Sequence, residues 1–275
     1  MFVPPLETVG WAYQLHYYLC FRTYRRQPFF APQFNSKVLL EVVSEICKRH
    51  DFHLLRSRIY RDQSRCVLSL RPDQSVSKAV QVIKTNSSRE CRLQLKLDTS
   101  VWARGFLVKS LGLVRVSAVR QYLAQQAEHH GYASRLLPPV YRYRAISPAD
   151  IRSPRAVFDL NYHLVFATYH RRGVFTSSLG RMLADHWLKV AIKRGFAIDQ
   201  LTVIPDHVHL LIRTLPSVSI EQCALSLLNN AQHFIAKRHP QTLIDVGLNQ
   251  LWQPSAYAGT CGQISTSLMK KWLSE

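Results

Sequence analysis

The sequence contains no apolar run near the roughly 18 to 20 residues that a membrane-spanning helix requires. Its opening residues, MFVPPLETVGW, lack the basic start and apolar stretch of a secretory signal, so a cytoplasmic location is expected. The six cysteines, at 20, 47, 66, 91, 223 and 261, include no CxxC pair. That removes the zinc-ribbon class, and scattered thiols of this kind fit a reducing compartment. Acidic residues are scarce: 17 Asp+Glu stand against 36 Lys+Arg, a formal charge of +19. Such an excess repels itself unless a polyanion is the partner, and nucleic acid is the commonest one. A ribosome-associated or merely basic chain is the other reading of the charge.

What is present is enough for two domains: 275 residues, of which 47% are hydrophobic. The chain also repeats itself. YQLHYYLCFRTYRRQPFF, from Tyr13, resembles FDLNYHLVFATYHRRGVF, from Phe158. Lys48-Arg49 matches Lys193-Arg194, and Phe52 matches Phe196. YRDQSRCVLSLRP, from Tyr60, lies over IPDHVHLLIRTLP, from Ile204, with Asp62 over Asp206 and Pro72 over Pro216. WARGFLVKSLG, from Trp102, lies over WQPSAYAGTCG, from Trp252. Matching blocks in the same order point to a duplication.

The first block of each copy alternates apolar and other residues, as a strand with one buried face does. In copy one, strands are expected near 13–23, 54–60, 65–71 and 103–109, and helices near 37–50, 75–94 and 116–129. This order predicts an α+β fold: two ferredoxin-like (split βαβ) antiparallel-sheet domains, each with an appended C-terminal helix. The domains are expected at 1–128 and 158–275. Residues 129–157 carry Pro138, Pro139, Pro148 and Pro154 without steady periodicity and read as a linker.

The strongest local signal is Asp206-His207-Val208-His209-Leu210-Leu211-Ile212. Side chains two apart on a strand share a face, so His207 and His209 project together. Two imidazoles so placed can hold a divalent metal; a pair of surface histidines beside a buried strand is the alternative.

PDHVHLLI, preceded by a LNYHLVFATYHRR strand and followed by an LWQ segment, resembles the HUH-type single-strand DNA tyrosine transposases. These are small transposases of bacterial insertion sequences and their REP-associated relatives. The resemblance spans nearly all of both copies. It implies that His207 and His209 bind Mg²⁺ or Mn²⁺. It also implies a C-terminal helix bearing a Tyr nucleophile, with a Gln four residues later as third ligand. In that family the helix docks on the partner subunit's histidines. The implied substrate is single-stranded DNA, often a hairpin.

The two copies have lost different parts of this set. Copy one carries Tyr122 and Gln126, at i and i+4 on one helix face. At its histidine positions stand Gln63 and Arg65, and Arg is a permanent cation that cannot ligate a metal. Copy two carries His207 and His209, but Trp272 stands where the tyrosine belongs. A crossed, pseudo-dimeric arrangement would therefore leave one complete site: Tyr122, Gln126, His207 and His209. The implied reaction is metal-dependent nicking and joining of DNA through a 5′-phosphotyrosine; the alternative is an inactive hairpin-binding descendant. Arg25, Arg26, Arg171 and Arg172 follow the first strand of each copy and, with Arg65, are candidate phosphate contacts. Solvated basic loops are their other reading.

Overall fold

The computed structural model describes residues 3–112, 114–125, 139–148 and 150–263. Copy one forms β1 (Gly10–Gln14), β2 (His16–Arg22), α1 (Gln33–Arg49), β3 (His53–Tyr60), β4 (Gln63–Ser69), α2 (Val76–Leu95), β5 (Phe106–Leu111) and α3 (Val116–Gln125). Two short strands follow, β6 (Tyr141–Arg144) and β7 (Ala156–Asp159). Copy two forms β8 (Asn161–Thr168), α4 (Ser177–Arg194), β9 (Phe196–Ile204), β10 (His207–Thr214), α5 (Ile220–Arg238), α6 (Pro240–Asp245) and β11 (Trp252–Cys261).

The helices begin and stop where local chemistry dictates. Ser219 caps α5 in a capping box with Gln222, Ser75 caps α2, and Thr176 caps α4. Gly195 ends α4 in the left-handed region that glycine enters without a Cβ penalty. Along α1 the buried residues Val38, Leu39, Val42, Val43 and Ile46 recur at helical spacing and face the sheet. In copy two, Trp187 of α4 stacks on Trp252 with ring centroids 5.7 Å apart. Burying such side chains contributes about 2 kcal/mol each.

The four main strands of copy one lie in the order β3-β4-β2-β5, and those of copy two in the order β9-β10-β8-β11. Neighbours within each set of four are antiparallel. This is the split βαβ order expected for both halves, and the fold is the duplicated α+β arrangement. Among the described residues no helix is long and apolar enough to cross a membrane.

The halves are joined by exchanged strands. The stretch 13–23 is not one strand. The chain breaks at Leu15, so that β1 pairs in parallel with β11 of copy two while β2 stays in its own sheet. Copy two does the same: β7 pairs in parallel with β5 of copy one, and β8 follows after Leu160. The stretch 129–157 is thus not wholly a connector: β7 begins within it, and β6 extends the second sheet against β9. Pro-rich sequence concealed these strands because an edge strand needs only one hydrogen-bonding side.

Near-twofold pairs mark the junction. Tyr17 and Tyr162, equivalent in the repeat, meet with ring centroids 6.2 Å apart. The backbone N–H of Asn161 donates to Ser110 Oγ (2.9 Å), and that of His16 donates to Thr260 Oγ1 (3.0 Å). Gly112 N–H donates to Gly262 O (3.0 Å). A Cβ on Gly112 would lie 1.9 Å from Thr260 O, so no larger residue fits this crossing. Ser77 N–H donates to Pro216 O, and Glu221 N–H to Pro72 O, linking the starts of α2 and α5. One continuous hydrophobic cluster runs through both copies.

Candidate functional site

β10 lies between β8 and β9 near the middle of the second sheet. Val208, Leu210 and Ile212 point into the core, which turns His207, His209, Leu211 and Arg213 to the opposite face. That face is covered by α3, which comes from copy one. Val119 and Leu123 of α3 pack on Leu211 and Cys261. Polar side chains of the second copy also reach the backbone of α3. Thr202 Oγ1 donates to Leu123 O (3.0 Å), and Gln200 Nε2 donates to Arg120 O (3.2 Å). Arg120 also reaches Asp199 (3.3 Å), a buried carboxylate that pairs with Arg213 as well (2.9 Å).

This docking sets Tyr122 beside the histidines. Its ring lies edge-on to His209, centroids 5.9 Å apart, and to His163, 6.3 Å. His207 and His209 are 8% and 6% exposed, with ring centroids 4.9 Å apart. Each has a protein partner at Nδ1. His207 Nδ1 meets Asp206 Oδ1 at 2.6 Å, and His209 Nδ1 meets His163 Nε2 at 3.0 Å. Asp206 is held in turn by Arg171, 2.8 Å away. Burial opposes the Asp206 carboxylate, but the His207 hydrogen bond and the neighbouring charges outweigh it, and its pKa ends below the ordinary value. Burial pushes His163 down to about 4, so at neutral pH it is an uncharged imidazole stacked on His209, rings 5.3 Å apart.

The structure juxtaposes Tyr122, His207 and His209, the three members of the expected set that lie among the described residues. Gln126 and Trp272 lie outside the described residues. Arg25 and Arg26 follow β2 as exposed residues in left-handed conformation, with Arg26 3.4 Å from Asp62. Arg171 is the counterpart of Arg26 and pairs with Asp206; Arg172 follows, its carbonyl accepting from Thr168 Oγ1 (2.6 Å). His163 and Asp206 were not foreseen as site residues. The signal for His163 was strand parity: Leu160, Tyr162, Leu164 and Phe166 point inward, so His163 points to the histidine face.

Copy one retains the frame and not the imidazoles. Thr23 Oγ1 donates to Asp62 O as Thr168 Oγ1 donates to Asp206 O. On the equivalent strand Gln63 is buried, and its Oε1 receives Arg65 Nε and Cys20 Sγ, each at 3.4 Å. The Arg65 guanidinium lies over the Tyr60 ring, 4.4 Å from its centroid. No imidazole remains there to hold a metal. Among the described residues no group of three or more His, Cys, Asp or Glu side chains is arranged around a metal position. The expected set contains only two such residues, with the amide of Gln126 as the third donor.

Comparison with known proteins agrees with the duplication. The family described as "Transposase IS200 like" matches residues 11–126 and again 156–275. The ISDra2 transposase TnpA of Deinococcus radiodurans is 26% identical over 129 residues, covering 46% of this chain and 92% of that protein. A putative transposase structure from Deinococcus radiodurans R1 is similar at 20% identity, with a TM-score of 0.35, covering 42% of this chain and 94% of that one. A REP-associated tyrosine transposase bound to a REP hairpin is similar at 12% identity, with a TM-score of 0.30, covering 47% and 74%. With its model matched once in each half, the chain belongs to the IS200-like transposase family.

Proposed function

We propose that this transposase nicks and rejoins single-stranded DNA at one composite site, with Tyr122 from copy one and His207 and His209 from copy two. The observation that carries the reading is the docking of α3 across the copies, which sets the Tyr122 ring 5.9 Å from that of His209. Each copy alone lacks one component, and the crossing supplies it within one chain, as an intramolecular pseudo-dimer.

The donor set fits Mg²⁺ or Mn²⁺. Two buried imidazoles share one strand face, and each is oriented through Nδ1 by a further residue, the arrangement that ligating histidines require. Coordination would fall to their Nε2 atoms, with Gln126 as third ligand. When bound, the ion supplies Lewis-acid polarisation of the scissile phosphate. Asp206 and Arg171 hold His207 in place, and neutral His163 holds His209.

The reacting group is the Tyr122 hydroxyl. Its oxygen forms a bond to phosphorus, the P–O3′ bond breaks, and the tyrosyl proton is balanced by protonation of the departing 3′-oxygen. The products are a 5′-phosphotyrosine and a free 3′-OH. Reverse attack by a 3′-OH restores the phosphodiester and the tyrosine without ATP. One site makes one nick at a time. Arg25, Arg172 and Arg65 are the proposed phosphate contacts on each side, with Arg26 and Arg171 bracing the turns that carry them.

The test is incubation with single-stranded hairpin DNA and Mn²⁺, followed by denaturing electrophoresis. A covalent protein–DNA band is expected, and Tyr122→Phe should abolish it. DNA binding without any band in the unaltered protein would instead identify an inactive hairpin-binding protein.

A further inference from the structure

The outer side of α2 in copy one carries a feature that the nicking reaction does not use. A cavity of about 670 Å³ opens between α2 and the segment leading to β5. Lys84, Thr85, Ser88, Arg89, Arg92 and Arg104 contribute to its lining. A second cavity of about 590 Å³ shares Ala103 and Arg104 with it and adds Arg22 and Arg155. Together they make one groove lined by six cationic side chains, and no carboxylate is among its lining residues, although Arg89 pairs with Glu90 beside it (2.8 Å). Arg104 and Arg155 are exposed and have no carboxylate partner among the described residues.

The groove has a built floor. Lys84 Nζ donates to Ala103 O (2.6 Å) and Gly105 O (2.8 Å), which fixes the loop that presents Arg104. Gly105 takes a φ of +81, and a Cβ there would crowd Arg155 O at 3.2 Å. Burial draws the Lys84 pKa down to about 8, which still leaves most of its charge at neutral pH.

Copy two shows how this groove differs from its twin. Aligning the capping serines Ser75 and Ser219 sets Thr85 over Asn229 and Ser88 over Gln232. In copy two these amides grip the chain's own first residues. Asn229 Oδ1 accepts from Leu6 N (2.7 Å), Asn229 Nδ2 donates to Leu6 O (2.9 Å), and Gln232 Nε2 donates to Pro4 O (2.8 Å). Copy one replaces both peptide-reading amides by hydroxyls. It sets Lys84, Arg89 and Arg92 where copy two has Leu228, His233 and Ala236. A groove closed by a peptide in one copy is open and cationic in the other.

We propose that this groove is a second DNA surface, which takes the phosphodiester backbone of a strand outside the nicking site. The proposal rests on DNA being the substrate. Hydroxyls and guanidinium groups are phosphate donors, and the absence of amides and carboxylates disfavours a peptide. Arg22 lies opposite Gln63 on the neighbouring strand, so the groove starts beside the altered histidine positions of copy one. The groove of copy one thereby holds DNA that the composite site cuts.

The test compares Arg89→Ala/Arg104→Ala with the charge-matched Lys237→Ala/Arg238→Ala at the corresponding end of α5. Hairpin DNA with a single-stranded flank is titrated by fluorescence anisotropy at several salt concentrations. The groove variant should bind about tenfold more weakly, with its log K against log salt slope reduced by about 1.4 for two lost single-strand contacts. The control should keep affinity and slope, and adduct formation at saturating DNA should be unchanged in both. Equal loss in both variants, or no loss in the groove variant, overturns the proposal. If no protein forms an adduct yet the affinities separate as stated, the nicking reading fails and the groove stands.

Discussion

At the scale of single residues, the site depends on what stands behind its histidines. Asp206 orients His207 and His163 orients His209. Residues in this supporting position typically contribute 10- to 100-fold to metal affinity. Asp206→Asn should therefore weaken Mn²⁺ binding by about 10- to 100-fold while the protein stays folded, as isothermal titration would show. Unchanged affinity would mean that His207 needs no such support. The HxH spacing was legible because strand parity forces the two rings onto one face. Strand parity puts His163 on the same face, but its meeting with His209 depends on the register between β8 and β10, a long-range pairing. The same holds for Asp62 and Asp206: their match across the copies was visible, and their grip on Arg26 and Arg171 was not.

At the scale of elements, α3 decides whether the site is complete. Among the described residues its contact with copy two includes Val116, Val119, Tyr122, Leu123 and the polar links to Thr202, Gln200 and Asp199. Leu123 is fully buried against Leu211 and Cys261. Leu123→Asp should undock the helix, since a buried unpaired carboxylate is costly. DNA-adduct formation should fall at least about tenfold, with little change in the midpoint of thermal unfolding. A large fall in that midpoint would show α3 to be part of the folding core instead. The element order could be anticipated from the repeat, and the crossing of α3 from the family resemblance together with the complementary losses in the two copies. The exchange of β1 and β7 could not, because a break at one residue, Leu15 or Leu160, leaves the alternating pattern intact. Only the pairing partner changes, and partners across a sheet are chosen by the whole fold.

At the scale of the whole molecule, the two copies form one core with specialised halves. Gly112 is the tightest point of their junction, and Gly112→Ala would drive a methyl group into the Thr260 carbonyl. Overpacking of this kind costs about 1–3 kcal/mol, which chemical denaturation would register as a lowered midpoint with unfolding still in a single transition. Two separated transitions would show that the copies fold independently. All six thiols are buried, and burial raises Cys20, Cys47 and Cys91 to about 11 and Cys261 to about 12. Thiolate is the reactive form, so the native protein should resist thiol reagents at pH 8 and yield six reactive groups only on unfolding. The excess of positive charge predicted a polyanionic partner without saying where it binds. Six of its cationic side chains line an open groove in copy one, where the matching surface of copy two is filled by the chain's own residues 4–6.

The central claim is that Tyr122 of one copy and the paired histidines of the other share a single site. Fluorotyrosine placed at position 122 reports on this directly in ¹⁹F NMR, without any need for DNA. Added Mn²⁺ should broaden its signal severely, leave a fluorotyrosine at Tyr60 sharp, and have no such effect in His207→Ala/His209→Ala. A Tyr122 signal that stays sharp while Mn²⁺ occupies the histidines would contradict the account.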